Sequence, residues 1–438
     1  MRSFVKQIKR NAFMMIAFVV KVSGIRNEAW YQEHLSRYRH EKTYLQKQSF
    51  KYERYGQWLL TRGREKSSDF VSLSTSSFSQ TNSTGSIKPI AFYLPQFHQI
   101  PENNEWHGTG FTEWNNVTSA MPQFVGHHQP QLPVDVGFYD LAHPDVMYRQ
   151  VELAKHYGIH GFCFHYYWFS GSKRLLEKPL FNWLENKDLD FPFCICWANE
   201  NWSKLWDGGN RQVLMKQGSH VEDAEPFLED ILPFLEDSRY IRVEDKPLLV
   251  IYRPNLFKKD DFIQFASRLR AAAKAQGLEG LYISMVYGDY FEDNPLDWGV
   301  DAAVEFPPQR IVTHRKYVLD GNPVNPEFKG YVYTLDQAID SGALVATNPD
   351  FPLFRGIFPA WDNTARKAYS NASVYLQSPE VYQKWLTQLI KWTQEHHTPD
   401  KQFIFINAWN EWAEGAHLEP DSRYGYAYLQ ATREALEN

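Results

Sequence analysis

The stretch Phe403-Ile-Phe-Ile-Asn-Ala-Trp-Asn-Glu-Trp412 runs from four apolar residues directly into asparagine, tryptophan and glutamate. A short run that is apolar on both faces and then turns polar is typical of a buried strand whose end reaches a surface. Seven earlier stretches have the same character, and they are Ile90–Pro95, Gly161–Trp168, Pro192–Asn199, Pro247–Pro254, Leu281–Gly288, Gly299–Pro307 and Gly356–Asp362. With Phe403–Trp412, the sequence therefore predicts eight strands.

Helical patterns lie between the predicted strands. One runs from Pro144 to a stop at Gly158, a second from Phe262 to Gly277, a third over about 379–397 and a fourth over about 421–438. Strands that alternate with helices over residues 88–438 predict an α/β fold, namely a (β/α)8 barrel of the TIM type. The long irregular stretches Gln96–His143 and Pro308–Arg355 follow strands, so we expect them on the C-terminal face of that barrel.

Composition narrows the class of protein. The chain has 438 residues, a formal net charge of -6, and 15 Trp, 25 Tyr and 30 Phe. A net acidic chain lacks the basic footprint of a nucleic-acid-binding protein, so we expect no nucleic-acid partner. The three cysteines are too few for a disulfide framework and indicate a reducing compartment. Composition alone does not decide whether the aromatic residues serve packing or binding.

Charge divides the chain into two parts. Residues 1–87 carry 15 Lys/Arg against 6 Asp/Glu, a balance of +9, whereas residues 88–438 carry 31 against 46, a balance of -15. Residues 1–66 are predicted to be a basic helical arm, residues 67–87, rich in Ser and Thr, a linker, and residues 88–438 the barrel. The apolar run Ala12–Val20 is too short to span a bilayer.

Two interpretations of the arm stay open, a solvated helix and a helix that lies on an anionic membrane surface. We expect a cytoplasmic location, with peripheral contact to the inner face of the membrane through residues 1–66 as the alternative.

Parallel strands present their carboxyl ends at one mouth, and these ends are rich in aromatic, amide and charged residues. Rings of this kind offer flat apolar faces to sugars, and the polar side chains offer paired hydrogen bonds to hydroxyls. The predicted substrate-binding residues at strand ends are Tyr93, Gln96, His98, His165, Tyr166, Tyr167, Trp197, Asn199, Glu200, Trp202, Tyr252, Arg253, Glu305, Trp361, Asp362, Trp409, Asn410 and Trp412. Arg366 follows the seventh strand closely and is expected near the same mouth. We therefore expect an oligo- or polysaccharide substrate.

Glu411 and Glu414 are three residues apart where the last strand turns into a loop, a spacing that lets both carboxylates face one space. Glycosidic cleavage commonly uses two carboxyl groups, one protonated and one ionised. On spacing alone, two interpretations are balanced, a catalytic pair and carboxylates that cap a helix or pair with an arginine.

Six segments together resemble the WbsX-like family, described as glycosyltransferases of surface-polysaccharide gene clusters. They are Phe92–His98, Gly110–Trp114, His165–Trp168, Trp197–Trp202, Trp361–Thr364 and Asn407–Gly415. This family is related to the endo-α-mannosidase and endo-α-mannanase glycoside hydrolases, which are retaining (β/α)8 enzymes. The resemblance covers the chain from about Lys88 onward and adds Glu113 and Trp114 to the expected substrate-binding residues.

The resemblance also implies roles for the two glutamates. Glu411 would act as a base on the 2-hydroxyl of the sugar, which attacks the anomeric carbon, while Glu414 protonates the departing oxygen and later activates water. This chemistry retains configuration without an enzyme nucleophile and without a metal.

Two other functions stay open from the sequence, a glycosyltransferase that builds such a polysaccharide and a barrel that binds carbohydrate without catalysis. For the transferase, Asp188-Leu189-Asp190 precedes a strand and so is expected at the opposite end of the barrel, and no Gly-rich phosphate loop is present. His127, His128 and His165 lack metal-site spacing, so we expect no metal and no cofactor.

Overall fold

The computed structural model describes residues 67–79, 87–203, 213–291, 293–311, 316–317, 324–367 and 371–438. The chain divides into two units, Met1–Lys66 and Ser67–Asn438, and every described residue belongs to the second. The predicted helical arm, residues 1–66, lies outside the described residues. Residues 80–86 of the predicted linker also lie outside the described residues.

Eight parallel strands form a closed barrel. They are β1 (Lys88–Tyr93), β2 (Gly161–Phe169), β3 (Phe193–Trp197), β4 (Lys246–Ile251), β5 (Tyr282–Val286), β6 (Ala302–Val304), β7 (Leu353–Ile357) and β8 (Phe403–Ile406). Each strand pairs with the next one along the chain, and β8 pairs with β1, Ile406 lying opposite Ala91. The predicted (β/α)8 barrel is confirmed.

Helices cover the outside of the barrel and its connections. The described part of the chain holds ten α-helices: α1 (Pro101–His107), α2 (Glu113–Ser119), α3 (Asp145–His156), α4 (Lys178–Glu185), α5 (Ala224–Leu235), α6 (Lys259–Ala275), α7 (Asp336–Asp340), α8 (Thr364–Lys367), α9 (Pro379–His396) and α10 (Ala427–Glu437). Single 3-10 turns are Val221–Asp223, Pro254–Leu256, Pro295–Trp298, Pro399–Lys401 and Trp412–Glu414. Within the described residues, no helix combines the length and the apolar character that a membrane crossing requires.

Short strands outside the barrel build smaller sheets. Four of them, Lys316–Tyr317, Tyr331–Thr334, Ser373–Leu376 and Trp361–Asp362, form one sheet in that order. Trp202–Ser203 pairs with Val213–Met215, and Asn410–Glu411 with Ala416–His417, in two-stranded sheets. Lys173–Leu175 and Arg242–Val243 instead pair antiparallel with the barrel strands β2 and β4. The long stretch predicted after β1 holds α1 and α2. The stretch predicted after β6 holds α7 and two strands of the four-stranded sheet.

Most element boundaries differ from the sequence predictions by a few residues, and two of these differences have a local structural reason. The seventh strand begins at Leu353 rather than at Gly356, because Gly356 lies inside the strand, where a Cβ would come within 2.5 Å of the carbonyl oxygen of Glu305, just after the neighbouring strand β6. The last helix begins at Ala427 rather than near Asp421, because the Asp421 carboxylate accepts hydrogen bonds from the backbone N–H groups of Arg423 and Tyr424 and holds a turn there.

Alternate residues of each barrel strand face opposite sides. Phe92 of β1 faces inward and contacts Phe306 and His165, with ring centroids 4.7 and 5.5 Å away. Trp197 of β3 faces outward and packs on Phe227 of α5 at 4.5 Å. This alternation decides which side chains at a strand end reach the mouth of the barrel and which reach the surrounding helices.

Residues 67–79, part of the stretch whose composition predicts a linker, lie against the barrel unit. Val71 exchanges backbone hydrogen bonds with Tyr424 and Tyr426, each 3.0 Å long, and the backbone N–H of Phe78 donates to the carbonyl of His156 at 2.8 Å. These bonds connect the segment to α3 and to the chain just before α10.

Candidate active site

The loop after β8 folds into a tight hairpin. Asn410–Glu411 pairs antiparallel with Ala416–His417, and the 3-10 turn Trp412–Glu414 connects the two strands. Gly415 ends that turn with a φ of +60°, a left-handed conformation that glycine adopts without strain. The hairpin brings the side chains of Glu411 and Glu414 to one cavity at the mouth of the barrel.

A single arginine binds three carboxylates in this cavity. Arg366, on the short helix α8, donates from Nη1 to Glu414 at 2.9 Å, and from Nη2 to Glu113 at 2.9 Å and to Glu411 at 3.3 Å. The side chains of Arg366 and Glu113 are 6% and 4% exposed, so the cluster is shielded from solvent. Both glutamates of the predicted pair thus form ion pairs with an arginine, and they also share the cavity that catalysis would need.

Charge and burial set the protonation of the cluster. Burial raises the pKa of Glu411 well above its ordinary value; Arg366 opposes this rise, and the neighbouring Glu414 and Glu113 reinforce it. Burial disfavours the charge of Arg366, but the three carboxylates outweigh it and hold the pKa of Arg366 well above its usual range. With three carboxyl groups around one cation, the ionised cluster would carry excess negative charge, and this favours protonation at Glu411.

Nine of the 22 predicted site residues line this cavity: Gln96, Glu113, His165, Tyr167, Glu200, Trp202, Tyr252, Glu411 and Glu414. Tyr167 accepts a hydrogen bond from Gln96 at 2.8 Å, and its ring lies edge-on to Trp202 at 4.9 Å. The lining residues not among the predicted ones are Asn103, His107, Phe111, Ala198, Asn201, Phe306 and Arg366. Asn103, His107 and Phe111 come from α1 and the loop after it; their nearness to the Gly110–Trp114 motif was the available signal.

Three predicted residues face the outer helices instead of the cavity. Tyr93 donates to Gln150 of α3 at 2.7 Å, Tyr166 donates to Asp230 of α5, and Trp197 packs on α5. All three alternate with inward-facing neighbours on their strands.

A second group of predicted residues lies beneath the glutamates. The Asn410 side chain holds β1 by accepting from the backbone N–H of Leu94 at 2.7 Å and donating to its carbonyl at 3.0 Å. Trp114 packs against Trp412 at 5.8 Å. Trp409 and Trp412 donate hydrogen bonds to Glu419 at 3.1 and 2.6 Å. Glu419 was not among the residues predicted from the sequence.

Glu419 is the centre of this supporting layer. It is 1% exposed and also accepts hydrogen bonds from Tyr139 at 2.9 Å and from Gln150 at 2.6 Å. Burial raises its pKa to about 7, although all four donors favour the ionised form. The only signal for Glu419 in the sequence was its position eight residues after Glu411.

The remaining predicted residues occupy other positions around the mouth. Arg253 forms an ion pair with Glu200, and Asn199 bonds both backbone groups of Arg253, at 2.7 and 2.9 Å. His98 is buried against the carbonyl of Pro95. Separate cavities are lined by three more predicted residues, Glu305 in one case and Trp361 and Asp362 in the other.

The structure also locates the groups considered for metals and phosphates. Across the described ranges, no three His, Cys, Asp or Glu side chains are arranged to hold a metal ion. His127 is hydrogen-bonded to Asp362 at 2.6 Å, and His165 stacks on Phe92. Asp188 and Asp190 are exposed before β3, away from the mouth. The thiols Cys163, Cys194 and Cys196 are free and buried.

Comparison with known proteins gives matches at the level of sequence and of fold. A family model described as "Glycosyltransferase WbsX" matches residues 89–432. The "Uncharacterized protein WxcX" of Xanthomonas campestris pv. campestris (strain B100) is 44% identical over 351 residues, 79% of this chain and 49% of the relative, as is its counterpart in strain ATCC 33913. The chain thus spans about half the length of the curated relatives it matches.

Two solved structures match most of this chain. A "Glycoside hydrolase-like protein" superposes with a TM-score of 0.50 at 15% identity, covering 84% of this chain and 98% of the other. The GH99 endo-alpha-mannosidase from Bacteroides thetaiotaomicron gives a TM-score of 0.49 at 13% identity, covering 80% and 96%. At 15% identity, the similarity to the glycoside hydrolase-like protein concerns the fold alone.

Proposed function

Because the chain belongs to the WbsX glycosyltransferase family, we propose that it is a carbohydrate-active enzyme that acts on glycosidic bonds of a surface polysaccharide or its oligosaccharide precursor. The observation that carries this proposal is the cluster of Glu411, Glu414 and Glu113 around Arg366 in one cavity at the carboxyl ends of the strands. Barrel enzymes of this architecture keep their active sites at that face.

The proposed reaction retains the configuration of the sugar. Glu414 donates a proton to the departing glycosidic oxygen, while the sugar 2-hydroxyl loses its proton to Glu411 and its oxygen attacks the anomeric carbon. Glu414, now ionised, then removes a proton from water, which opens the three-membered ring at the anomeric carbon as the 2-oxygen recovers the proton from Glu411. Two carboxyl groups in opposite protonation states meet the requirement for such acid and base catalysis.

The protonation of Glu411 adds a condition to this mechanism. A base must be ionised, whereas burial and the two neighbouring carboxylates favour a proton on Glu411 in the ligand-free cavity. We propose that Arg366, 3.3 Å from Glu411, stabilises the ionised form when the proton resides on Glu414.

Transfer to a sugar hydroxyl is the second candidate, favoured by the description of the family. The same two glutamates serve it if an acceptor hydroxyl takes the place of water in the second step. The finer choice between hydrolysis and transfer therefore depends on the acceptor.

The test uses the full-length protein and the surface polysaccharide of the organism that produces it, without sugar nucleotides. Mass spectrometry detects new reducing ends, and the wild type is compared with Glu414→Gln and with the exposed control Glu105→Gln. Cleavage by the wild type and the control, lost in Glu414→Gln, is the expected result. No cleavage, followed by chain extension once sugar nucleotides are added, would replace the hydrolase with a transferase.

A further inference from the structure

A second cavity, of about 700 Å³, lies beside the glutamate cavity and shares no lining residue with it. Its walls are the loop Phe124–Gln131, the strand Ser373–Leu376 with the residues after it, and the segment from His417 to Tyr428. This volume falls within the range of about 300–1,000 Å³ that is usual for small-molecule sites. The proposed reaction makes no use of it.

The two cavities are separated by one shared wall. Asp362 lines the second cavity and Arg366, one helical turn later, lines the first; likewise His417 lines the second and Glu414 the first. The chain is closely packed between them, because a Cβ on Gly415 would lie 2.9 Å from the Cβ of Asp362. A ligand in the second cavity would thus be held close behind the glutamates without touching them.

Two buried polar side chains that line this cavity have atoms without partners. His128 is 9% exposed, and neither of its ring nitrogens has a hydrogen-bond partner in the described part of the chain. Gln377 is 7% exposed; its Nε2 donates to the carbonyl of Phe358 at 3.2 Å, but its Oε1 has no partner among the same residues. A buried polar atom without a partner is unfavourable. A donor or acceptor supplied by a ligand would satisfy these atoms.

The charged residues of the wall are three aspartates, Asp336, Asp362 and Asp421, and one arginine, Arg423. Asp362 accepts hydrogen bonds from His127 and Gln129, both at 2.6 Å. Burial raises the pKa of Asp362, but His127 and Thr364 outweigh it and hold that pKa below its usual value. The Asp421 carboxylate is bonded to two backbone N–H groups, and the Arg423 guanidinium lies over the Tyr424 ring at 4.5 Å. An anionic ligand would meet an excess of carboxylates in this wall, whereas its neutral polar groups and aromatic rings suit an uncharged ligand.

We infer that the second cavity is a glycan-binding site that holds a part of the substrate remote from the bond that reacts. Neutral donors and acceptors beside aromatic rings match a polyhydroxylated ligand better than a phosphate, which the three aspartates of the wall would repel. The inference rests on the proposed function, since it assumes a carbohydrate substrate. Binding at a remote site supplies affinity that short substrates lack.

The test measures binding rather than turnover. Full-length Glu414→Gln serves as the parent, and its binding is measured on an array printed with fragments of the surface polysaccharide of the organism that produces the protein, graded from two to ten sugar units. His128→Leu and Gln377→Leu, each in the parent background, remove the unpartnered groups. Leu376→Trp fills the cavity from its rim, where Leu376 is 39% exposed. His143→Leu, at an exposed histidine, is the matched control.

We expect each of the three cavity variants to lose at least about tenfold in affinity for the longest bound fragments, while binding of the shortest fragments and of the control stays unchanged. Equal binding of long fragments by the parent and by Leu376→Trp overturns the second site and leaves the proposed function intact. If the parent binds no printed glycan, the proposed function itself fails, and the second site with it. Leu376→Trp keeps the test valid should either core substitution prevent folding.

Discussion

Arg366 is the residue on which the protonation of the whole cluster depends. It is bound to Glu113, Glu411 and Glu414 at once, so a change in any one carboxylate alters the field at the other two. Glu113 reaches it from α2, far from the hairpin in sequence.

Removing the charge of Glu113 is expected to shift the pH dependence of activity to lower pH. Glu113 raises the pKa of Glu411, and it also competes with Glu411 for Arg366. Glu113→Gln removes both effects, so the pKa of Glu411 falls and the acidic limb of the pH–rate profile moves down with it. The exposed Glu105→Gln variant, measured in the same buffers, should match the wild type. A limb that stays in place, or moves up, would show that Glu113 does not act on Glu411.

The leaving group separates the roles of the two glutamates. A dinitrophenolate needs no proton to depart, so a variant that lacks only the acid still cleaves a dinitrophenyl glycoside of the reacting sugar. On this substrate kcat/KM reports the first step only, before Glu414 must activate water. We expect kcat/KM of Glu414→Gln to stay within about tenfold of the wild type, and that of Glu411→Gln to fall about 10²–10⁴-fold, the usual contribution of a positioned base. The opposite ranking, read from initial rates of dinitrophenolate release, assigns the acid to Glu411, the residue whose pKa burial raises.

Strand alternation explains which residues near the mouth the sequence could identify. His165 and Tyr167 point into the barrel, whereas Tyr166 between them donates to an outer helix. The sequence stretch is apolar on both faces, so it does not reveal which parity is inward. Glu411 and Glu414 escaped this ambiguity because they follow the strand, in a turn. The ion pair between Glu113 and Arg366 joins two helices, α2 and α8, that are far apart in the sequence. No local sequence pattern could therefore predict it.

At the scale of elements, Glu419 connects the hairpin that carries Glu411 and Glu414 to its surroundings. Its two oxygens accept from Trp409 and Trp412 of the β8 loop, from Gln150 of α3 and from Tyr139. A glutamine has one oxygen and one NH₂ group, so at least one of these donors would face another donor.

We expect Glu419→Gln to lower the free energy of unfolding by about 1–3 kcal/mol, the cost of one buried group left without a partner. Urea denaturation monitored by tryptophan fluorescence measures the change. Glu229→Gln, at an exposed position on α5, should have no effect. A Glu419→Gln protein as stable as the wild type would mean that the hairpin does not depend on this carboxylate.

The barrel strands were predictable because burial on both faces restricts their residue types. Continuous apolar runs predicted all eight barrel strands, because a parallel sheet covered on both faces excludes polar residues. The start of β7 was not predictable in this way. Gly356 looks like a boundary in the sequence, but the structure needs a glycine inside the strand, where the carbonyl of Glu305 approaches closely.

At the scale of the whole molecule, the charge of the chain is segregated, with +9 over residues 1–87 and -15 beyond them. Residues 67–438 hold a closed barrel with its own core. The composition predicts a linker over residues 67–87 and a barrel from residue 88 onward, and it did not predict that residues 67–79 pack along α3 and α10.

Contact of the basic segment with an anionic membrane, the alternative that the sequence leaves open, predicts salt-dependent binding to vesicles. Each Lys or Arg near such a surface contributes about 1 kcal/mol, and salt screens that attraction over a Debye length of about 10 Å at 0.1 M. The full-length chain should therefore sediment with phosphatidylserine-containing vesicles at low salt and be released at high salt, while residues 67–438, with their acidic balance, should stay in the supernatant under both conditions. Vesicles of phosphatidylcholine alone are the control for charge. Equal sedimentation of the two proteins at low salt would contradict a membrane role for residues 1–66, and the segregated charge would then mark a solvated arm.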